Sequence, residues 1–234
     1  MQTFNRRQTL ALAGAACLAL PAATRAQDSC AISTSASQRA TTPEEALKRL
    51  QQGHQRFANG KPLHCDLRPQ VRGTASGQAP FAAIVGCIDS RVPPELVFDQ
   101  HIGDIFAARV AGNIINDDIL GSLEFATRLA GAKLIVVLGH SECGAVKGAI
   151  DGAQLGHLTG LLARIKPSLQ RLDYQGVPSS KDKALVQRVA ERNARDAVAQ
   201  LQRAEVLRAL VEQGQLKIVA AMHDVATGRI DWLV

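Results

Sequence analysis

Three short, continuous apolar segments constrain the fold more than any other feature of the sequence. They are Phe81–Gly86, Ile105–Ala108 and Leu134–Leu138. Short apolar runs without polar alternation are typical of strands buried on both faces of a parallel sheet. The stretch between the second and third runs has helical periodicity, begins at Asn116 and ends at Gly131. Strands that alternate with helices predict an α/β fold with an open central sheet.

Further helices and one antiparallel edge strand are predicted around this sheet. A helix begins at Thr42 and Pro43, with Thr42 and Glu45 as a capping box. The region 157–213 has mostly helical patterning. The segments 216–222 and 229–233 flank a Thr-Gly turn and predict a hairpin at the sheet edge. The expected architecture is therefore α/β, with an open, mostly parallel sheet, an antiparallel edge strand and flanking helices.

Residues 1–26 have the pattern of a cleavable export signal. Arg6 and Arg7 precede an apolar run from Leu10 to Leu20, and a small-residue cleavage site ends at Ala26. This run is shorter than the roughly 20 residues that a membrane-spanning helix needs. The paired arginines favour the twin-arginine export route. We therefore expect a periplasmic protein whose signal peptide is removed, with no membrane association after export.

The remaining chain is expected to hold a flexible leader and one domain. Residues 27–41 are rich in Ser, Thr, Ala and Gln and predict the leader, and 42–234 form a single domain. The signal carries three arginines and no acidic residue, so its removal lowers the formal net charge from +6 to +3. The basic residues are scattered, which argues against a nucleic-acid partner.

Four cysteines remain after the signal, namely Cys30, Cys65, Cys87 and Cys143. In an oxidising compartment four cysteines could form two disulfides. The positions of Cys87 and Cys143 favour metal binding over a disulfide. Cys30 and Cys65 are left either to pair or to stay reduced.

Cys87, His140 and Cys143 form a candidate metal site. Cys87 directly follows the first predicted strand, His140 follows the third, and Cys143 lies in the opening turn of a helix. The carboxyl ends of parallel strands are where sites form in open α/β sheets, so these residues can converge. Two thiolates and one imidazole, with a fourth position open, match a catalytic zinc ion. We expect one zinc per subunit.

A carboxylate and a guanidinium stand close to the first cysteine. Asp89 is two residues after Cys87, and Arg91 is two residues after Asp89. Arg91 can hold Asp89 through a bidentate contact. Asp89 can then accept a hydrogen bond from the zinc-bound hydroxide and aim its lone pair at substrate, as groups around a metal commonly do.

The motifs around these residues resemble those of the β-class carbonic anhydrases, which are zinc lyases. The resemblance rests on the segments 87–95 (CIDSRVPPE), 108–113 (ARVAGN) and 137–148 (VLGHSECGAVKG), and it covers roughly 43–234. It implies Cys87, His140 and Cys143 as zinc ligands and Asp89 with Arg91 as the catalytic dyad. The implied reaction is the reversible hydration of carbon dioxide to bicarbonate and a proton by zinc-bound hydroxide. The family also implies a homodimer or homotetramer.

The resemblance further implies substrate contacts and a branch within the family. Gln78 and Phe106 match residues that contact substrate or wall the pocket, and they can act from a neighbouring subunit. Gly144 matches a residue whose backbone faces substrate. The bicarbonate-regulated branch has a Trp where this chain has Ile84. The chain is therefore closer to the plant-like branch, although Arg109 fits the Trp–Arg–Tyr pattern of the regulated one.

Three other functions are compatible with parts of this pattern. A hydrolase of carbonyl sulfide or carbon disulfide would use the same fold and zinc site. A thiol enzyme would use Cys87 as nucleophile and His140 as base, but it leaves Cys143, Asp89 and Arg91 without roles. A zinc-stabilised binding module would have no use for an orienting carboxylate.

Overall fold

The computed structural model describes residues 30–233 and has an α/β architecture around one sheet. The strands are β1 (Ala82–Gly86), β2 (Ile105–Arg109), β3 (Leu134–His140), β4 (Lys217–His223) and β5 (Ile230–Leu233). The helices are α1 (Ser35–Ala40), α2 (Pro43–Ala58), α3 (Leu67–Thr74), α4 (Pro94–Val97), α5 (Asp117–Glu124), α6 (Gly144–Ile150), α7 (Gly156–Ala163), α8 (Lys166–Gln170), α9 (Lys183–Leu201) and α10 (Glu205–Glu212). A 3₁₀ turn, Ala111–Asn113, follows β2, and a π-helical turn, Phe125–Leu129, extends α5.

The sheet has the strand order β2-β1-β3-β4-β5. The pairs β1–β2, β1–β3 and β3–β4 are parallel, and only β4–β5 is antiparallel. This arrangement confirms the predicted sheet and its antiparallel edge strand. The first and third apolar segments of the sequence are fully buried as β1 and β3. The second segment, also predicted to be buried on both faces, is instead the edge strand β2, which is only half-buried because it has a neighbouring strand on one side alone.

Helices cover both faces of the sheet because successive side chains of a strand point to opposite sides. On one face, Val85 and Val137 belong to an apolar cluster that includes residues of α9. On the other face, Ile84 and Val136 pack in a second cluster with Leu50 of α2. The sheet is thereby buried between two helical layers, which explains why its central strands lack polar alternation.

The helix ends follow their local sequence signals. Thr42 caps α2 and forms a capping box with Glu45, as predicted. Asn116 caps α5 by accepting a hydrogen bond from the backbone N–H of Ile119. Gly131 has a φ of +82°, so it occupies the left-handed conformation that ends this helical segment. None of the helices between residues 30 and 233 is long and apolar enough to cross a membrane.

The segment predicted to be a flexible leader differs from that prediction over its described part. Residues 35–40 form α1, which has its own capping box between Thr34 and Ser37. Gln38 is buried, and its Nε2 donates to the carbonyl oxygens of Pro80 and Ala130. A disulfide between Cys30 and Cys65 fastens the segment to the domain. Composition alone missed these tertiary attachments. The predicted signal peptide, 1–26, lies outside the described residues.

Candidate metal centre

The topology brings the three predicted ligands together at one end of the sheet. Cys87 directly follows β1, His140 is the last residue of β3, and these two strands are neighbours. Cys143 caps α6 after a turn in which Glu142 has a φ of +57°. This left-handed residue reverses the chain between His140 and Cys143. The potential ligand atoms of Cys87, His140 and Cys143 all lie within 4.8 Å of one another.

The imidazole of His140 presents one nitrogen to this cluster. Its Nδ1 lies 2.9 Å from the carbonyl oxygen of Ser141, which can only accept, so Nδ1 carries the proton. Nε2 is buried without a hydrogen-bond partner among residues 30–233. A buried nitrogen with a free lone pair is costly unless it binds something. The tautomer and the unpartnered Nε2 therefore fit a metal ligand.

The two thiols also fit a divalent cation. A hydrogen bond from Cys143 lowers the pKa of Cys87, whereas the same pairing, together with burial, raises the pKa of Cys143. Ionising both buried sulfurs without a cation would place two negative charges side by side. Zinc requires thiolate ligands and supplies the compensating charge. The donor set therefore fits zinc, with Cys87, His140 and Cys143 as its protein ligands.

Asp89 lies beside the donors and is held by Arg91. Asp89 Oδ2 is 4.0 Å from His140 Nε2 and 2.7 Å from Arg91 Nη2. Its Oδ1 accepts from Arg91 Nε at 2.9 Å and from the Arg91 backbone N–H at 3.0 Å. These bonds, chiefly those from the Arg91 side chain, hold the pKa of Asp89 far below its usual range. The predicted bidentate pair is present, and its carboxylate is ionised at working pH.

Arg109 supports the loop that carries the first ligand. Its Nε donates to the carbonyl oxygen of Cys87 at 2.9 Å, and its Nη2 donates to that of Asp89 at 2.7 Å. One guanidinium thus fixes both residues. The sequence associates Arg109 with the pattern of the regulated branch, but it does not predict these hydrogen bonds to the loop after β1. The sequence signal for this contact is the position of Arg109 at the end of β2, the strand that pairs with β1.

The predicted substrate contacts lie in different places in the single chain. Gly144 begins α6 directly after Cys143, and a Cβ there would meet nothing within 4 Å. Phe106 lies on the edge strand β2 and packs edge-on against Phe125. Gln78 is exposed in the loop before β1, at the opposite end of that strand from Cys87. The chain itself therefore does not bring Gln78 to the metal centre.

Known proteins resemble the part of the chain that contains the metal centre. The sequence profile of the family described as carbonic anhydrase matches residues 82–230. Carbonic anhydrase 2 of Mycobacterium tuberculosis is 37% identical over 196 residues, which is 81% of this chain and 92% of that protein.

Solved structures show the same similarity. A β-carbonic anhydrase of Sordaria macrospora, described as tetrameric, has 28% identity and a TM-score of 0.63, and the match covers 71% of this chain and 87% of the fungal one. The β-carbonic anhydrase CafA of Aspergillus fumigatus has 28% identity and a TM-score of 0.61, with 81% and 89% covered. The family match includes every residue of the donor cluster and the Asp89–Arg91 pair.

Proposed function

The chain belongs to the β-class carbonic anhydrases, zinc lyases that reversibly hydrate carbon dioxide, and we propose that Asp89 and Arg91 orient the reactants in this site. Cys87, His140 and Cys143 would hold the zinc ion, which would supply a water acidic enough to act as the nucleophile near neutral pH. The ionised Asp89 can only accept hydrogen bonds. At Oδ2 it would accept a hydrogen bond from the attacking water and so aim an oxygen lone pair at the substrate carbon.

Arg91 keeps Asp89 in that role. Its side chain occupies both carboxylate oxygens, which fixes the plane of the carboxylate and keeps it ionised. Gly144 leaves open space beside Cys143, where the backbone can contact bicarbonate. The observation that carries this proposal is the carboxylate held 4.0 Å from His140 Nε2, next to the three buried donors.

The direct test measures zinc content and carbon dioxide hydration on the same purified protein, before and after chelation. We expect about one zinc per chain, with activity lost on chelation and restored by zinc. Hydration that survives complete removal of zinc would overturn the assignment. Carbonyl sulfide is assayed in parallel, and hydrolysis of it without hydration of carbon dioxide would favour the sulfur-substrate alternative.

We further propose a plant-like site without bicarbonate regulation. Ile84, at the position of the regulated branch's Trp, is fully buried in the core. Arg109 is already engaged with the carbonyl oxygens of Cys87 and Asp89. Both observations support a site where bicarbonate acts only as product. Cooperative inhibition of hydration by bicarbonate would contradict this.

We propose that the protein is a homodimer or homotetramer built on the β2 edge. β2 is an edge strand, and it lies beside exposed apolar side chains of the segment after α5. Phe125 is 50% exposed and Leu129 is 77% exposed. Exposed apolar surface next to an open strand edge favours association. Phe125→Glu should lower the molar mass in light scattering, and an unchanged mass would exclude this edge.

In an oligomer, Gln78 can lie close to the metal centre of another subunit. We propose that it acts in the neighbouring subunit's site. A Gln78→Ala chain keeps its own zinc ligands, and a Cys87→Ser chain keeps Gln78. Co-expressed, they should form mixed oligomers more active than either parent if Gln78 acts between subunits. Asp89→Asn mixed with Cys87→Ser is the control, because both changes affect the site of their own chain. Restoration in the control only, or in neither mixture, would contradict the proposal.

We propose that the protein is exported to the periplasm through the twin-arginine route, with residues 1–26 removed. The disulfide between Cys30 and Cys65 supports an oxidising compartment, since such bonds rarely persist in the cytosol. Residues 1–30 fused to a reporter should direct its export only when Arg6 and Arg7 are intact. Export of the Arg6→Lys/Arg7→Lys fusion would reject this route.

A further inference from the structure

A backbone N–H from the turn after β2 reaches the first zinc ligand. The Gly112 N–H donates to Cys87 Sγ at an N···S distance of 3.3 Å. Gly112 has a φ of +70°. A Cβ at this position would lie 2.6 Å from Ile165 Cδ1 and 3.2 Å from Ala145 Cβ. The turn is therefore packed so closely that only glycine fits without displacing its neighbours.

One side chain, from a distant helix, holds the other side of this turn. Asn193 of α9 donates from Nδ2 to the carbonyl oxygen of Gly112 at 2.8 Å. Asn193 is only 5% exposed and stands on a face of α9 that is otherwise apolar. A buried amide in such a face is costly unless it is hydrogen-bonded, and an apolar residue would pack there equally well. The hydrogen bond to Gly112 therefore explains why an amide, rather than an apolar side chain, occupies this position.

We propose that Asn193 is a positioning residue for the zinc thiolate of Cys87. Asn193 fixes the Gly112 carbonyl, the packing of Gly112 fixes the turn, and the Gly112 N–H is thereby aimed at Sγ. An N–H···S hydrogen bond stabilises negative charge on sulfur and orients its lone pairs. Asn193 thus acts on the metal centre through two hydrogen bonds without touching the metal.

The second thiolate provides an internal comparison. Cys143 is the N-cap residue of α6, and the backbone N–H groups of Ala145 and Val146, in the first turn of that helix, act on its sulfur and favour the thiolate. Those donors do not depend on Asn193. Loss of the Asn193 amide should therefore perturb one of the two sulfur ligands and leave the other unchanged.

The test compares Asn193→Leu with Ser168→Ala. The first removes the amide and keeps an apolar side chain of similar size. The second removes a partly buried hydrogen bond between α8 and α9, from the buried Ser168 Oγ to Asp196 Oδ2 at 2.8 Å, but makes no change to the contacts of Gly112. Zinc affinity is measured by competition with a chelator, and the sulfur-to-metal charge-transfer band is measured on the Co²⁺-substituted protein.

We expect Asn193→Leu to weaken zinc binding about 10-fold and to shift part of the charge-transfer band to lower energy. Ser168→Ala should leave both unchanged. Equal effects in the two variants, or no effect in Asn193→Leu, would overturn the proposal.

A measurement on the wild-type protein covers the case in which Asn193→Leu does not fold. When zinc is replaced by an NMR-active cadmium isotope, the Gly112 amide proton should show scalar coupling to the metal through Cys87 Sγ. Absence of this coupling, when couplings to the cysteine side chains are resolved, would also overturn the proposal.

Discussion

Single residues set the electrostatics of the metal centre. Asp89 is ionised because Arg91 donates to both of its oxygens, and the carbonyl oxygen of Ser141 accepts a hydrogen bond from His140 Nδ1, which leaves Nε2 for the donor cluster. The charge on Asp89 and the orientation of the His140 ring are thus both set by hydrogen bonds with residues that are not metal ligands. Changes at these residues should therefore separate metal binding from catalysis.

Asp89→Asn tests the orienting carboxylate. The amide keeps the size of the side chain but can donate as well as accept, so it does not impose one orientation on the attacking water. We expect normal zinc content and a kcat lowered by about 10²-fold or more. Stopped-flow hydration assays with metal analysis check this. Near-normal turnover would remove Asp89 from the mechanism.

Cys87→Ser and His140→Ala test the ligand set. Each removes one of three protein ligands, so zinc and activity should be lost together. Cys30→Ser/Cys65→Ser is the matched control, because it removes two sulfurs that lie outside the donor cluster. Full zinc content and activity in either ligand variant would contradict the assignment.

Among the elements, a histidine of α2 joins that helix to the end of α4 and to β5. His54 Nδ1 lies 3.2 Å from the carbonyl oxygen of Val97, and Nε2 accepts from the backbone N–H of Ile230 at 3.0 Å. This pairing requires a neutral ring, since a protonated Nε2 cannot accept. Burial disfavours the charged ring and so lowers the pKa of His54.

The lowered pKa predicts how this junction responds to acid. Unfolded chains protonate His54 near pH 6.5, whereas the folded protein resists protonation, so stability falls as the pH drops below about 6.5. His54→Gln should be less stable at pH 7 but should lose less stability between pH 7 and 5. Denaturant unfolding at several pH values measures both slopes. Parallel slopes would show that His54 does not contribute to the acid sensitivity.

At the scale of the whole molecule, the N-terminal segment is bound to the domain at several points. The Cys30–Cys65 disulfide links residues 35 apart in sequence. Ser33 Oγ donates to Asp104 Oδ1 at 2.8 Å, and Arg49 contacts the same oxygen at 2.6 Å. Asp104 directly precedes β2, whereas the zinc ligands follow the other ends of β1 and β3. The segment should therefore stabilise the fold without controlling the site.

Removal of the disulfide tests this separation. Cys30→Ser/Cys65→Ser should lower the free energy of unfolding by about 2–4 kcal/mol, because the unfolded chain regains the entropy of the closed loop. Zinc affinity and hydration rate should be unchanged. A reductant should destabilise the wild type but not the variant. Loss of activity in the folded variant would instead link the segment to the metal centre.

Features that depend on local pattern can be predicted from the sequence. Continuous apolar runs located three strands, of which β1 and β3 are buried, the Thr42 capping box located the start of α2, and motifs at strand ends identified Cys87, His140 and Cys143. These predictions succeeded because strand burial, helix caps and the topology of parallel sheets leave regular marks on neighbouring residues.

Contacts between residues distant in the chain depend instead on how the elements pack together. The order of residues does not show that Cys30 pairs with Cys65, that Gln38 is buried against Pro80, or that Asn193 reaches Gly112. Each contact joins segments more than 30 residues apart, and its geometry depends on how whole helices pack on the sheet. Composition therefore suggested a flexible leader where long-range bonds hold an ordered one, because a polar segment carries no local sign of the surface that binds it.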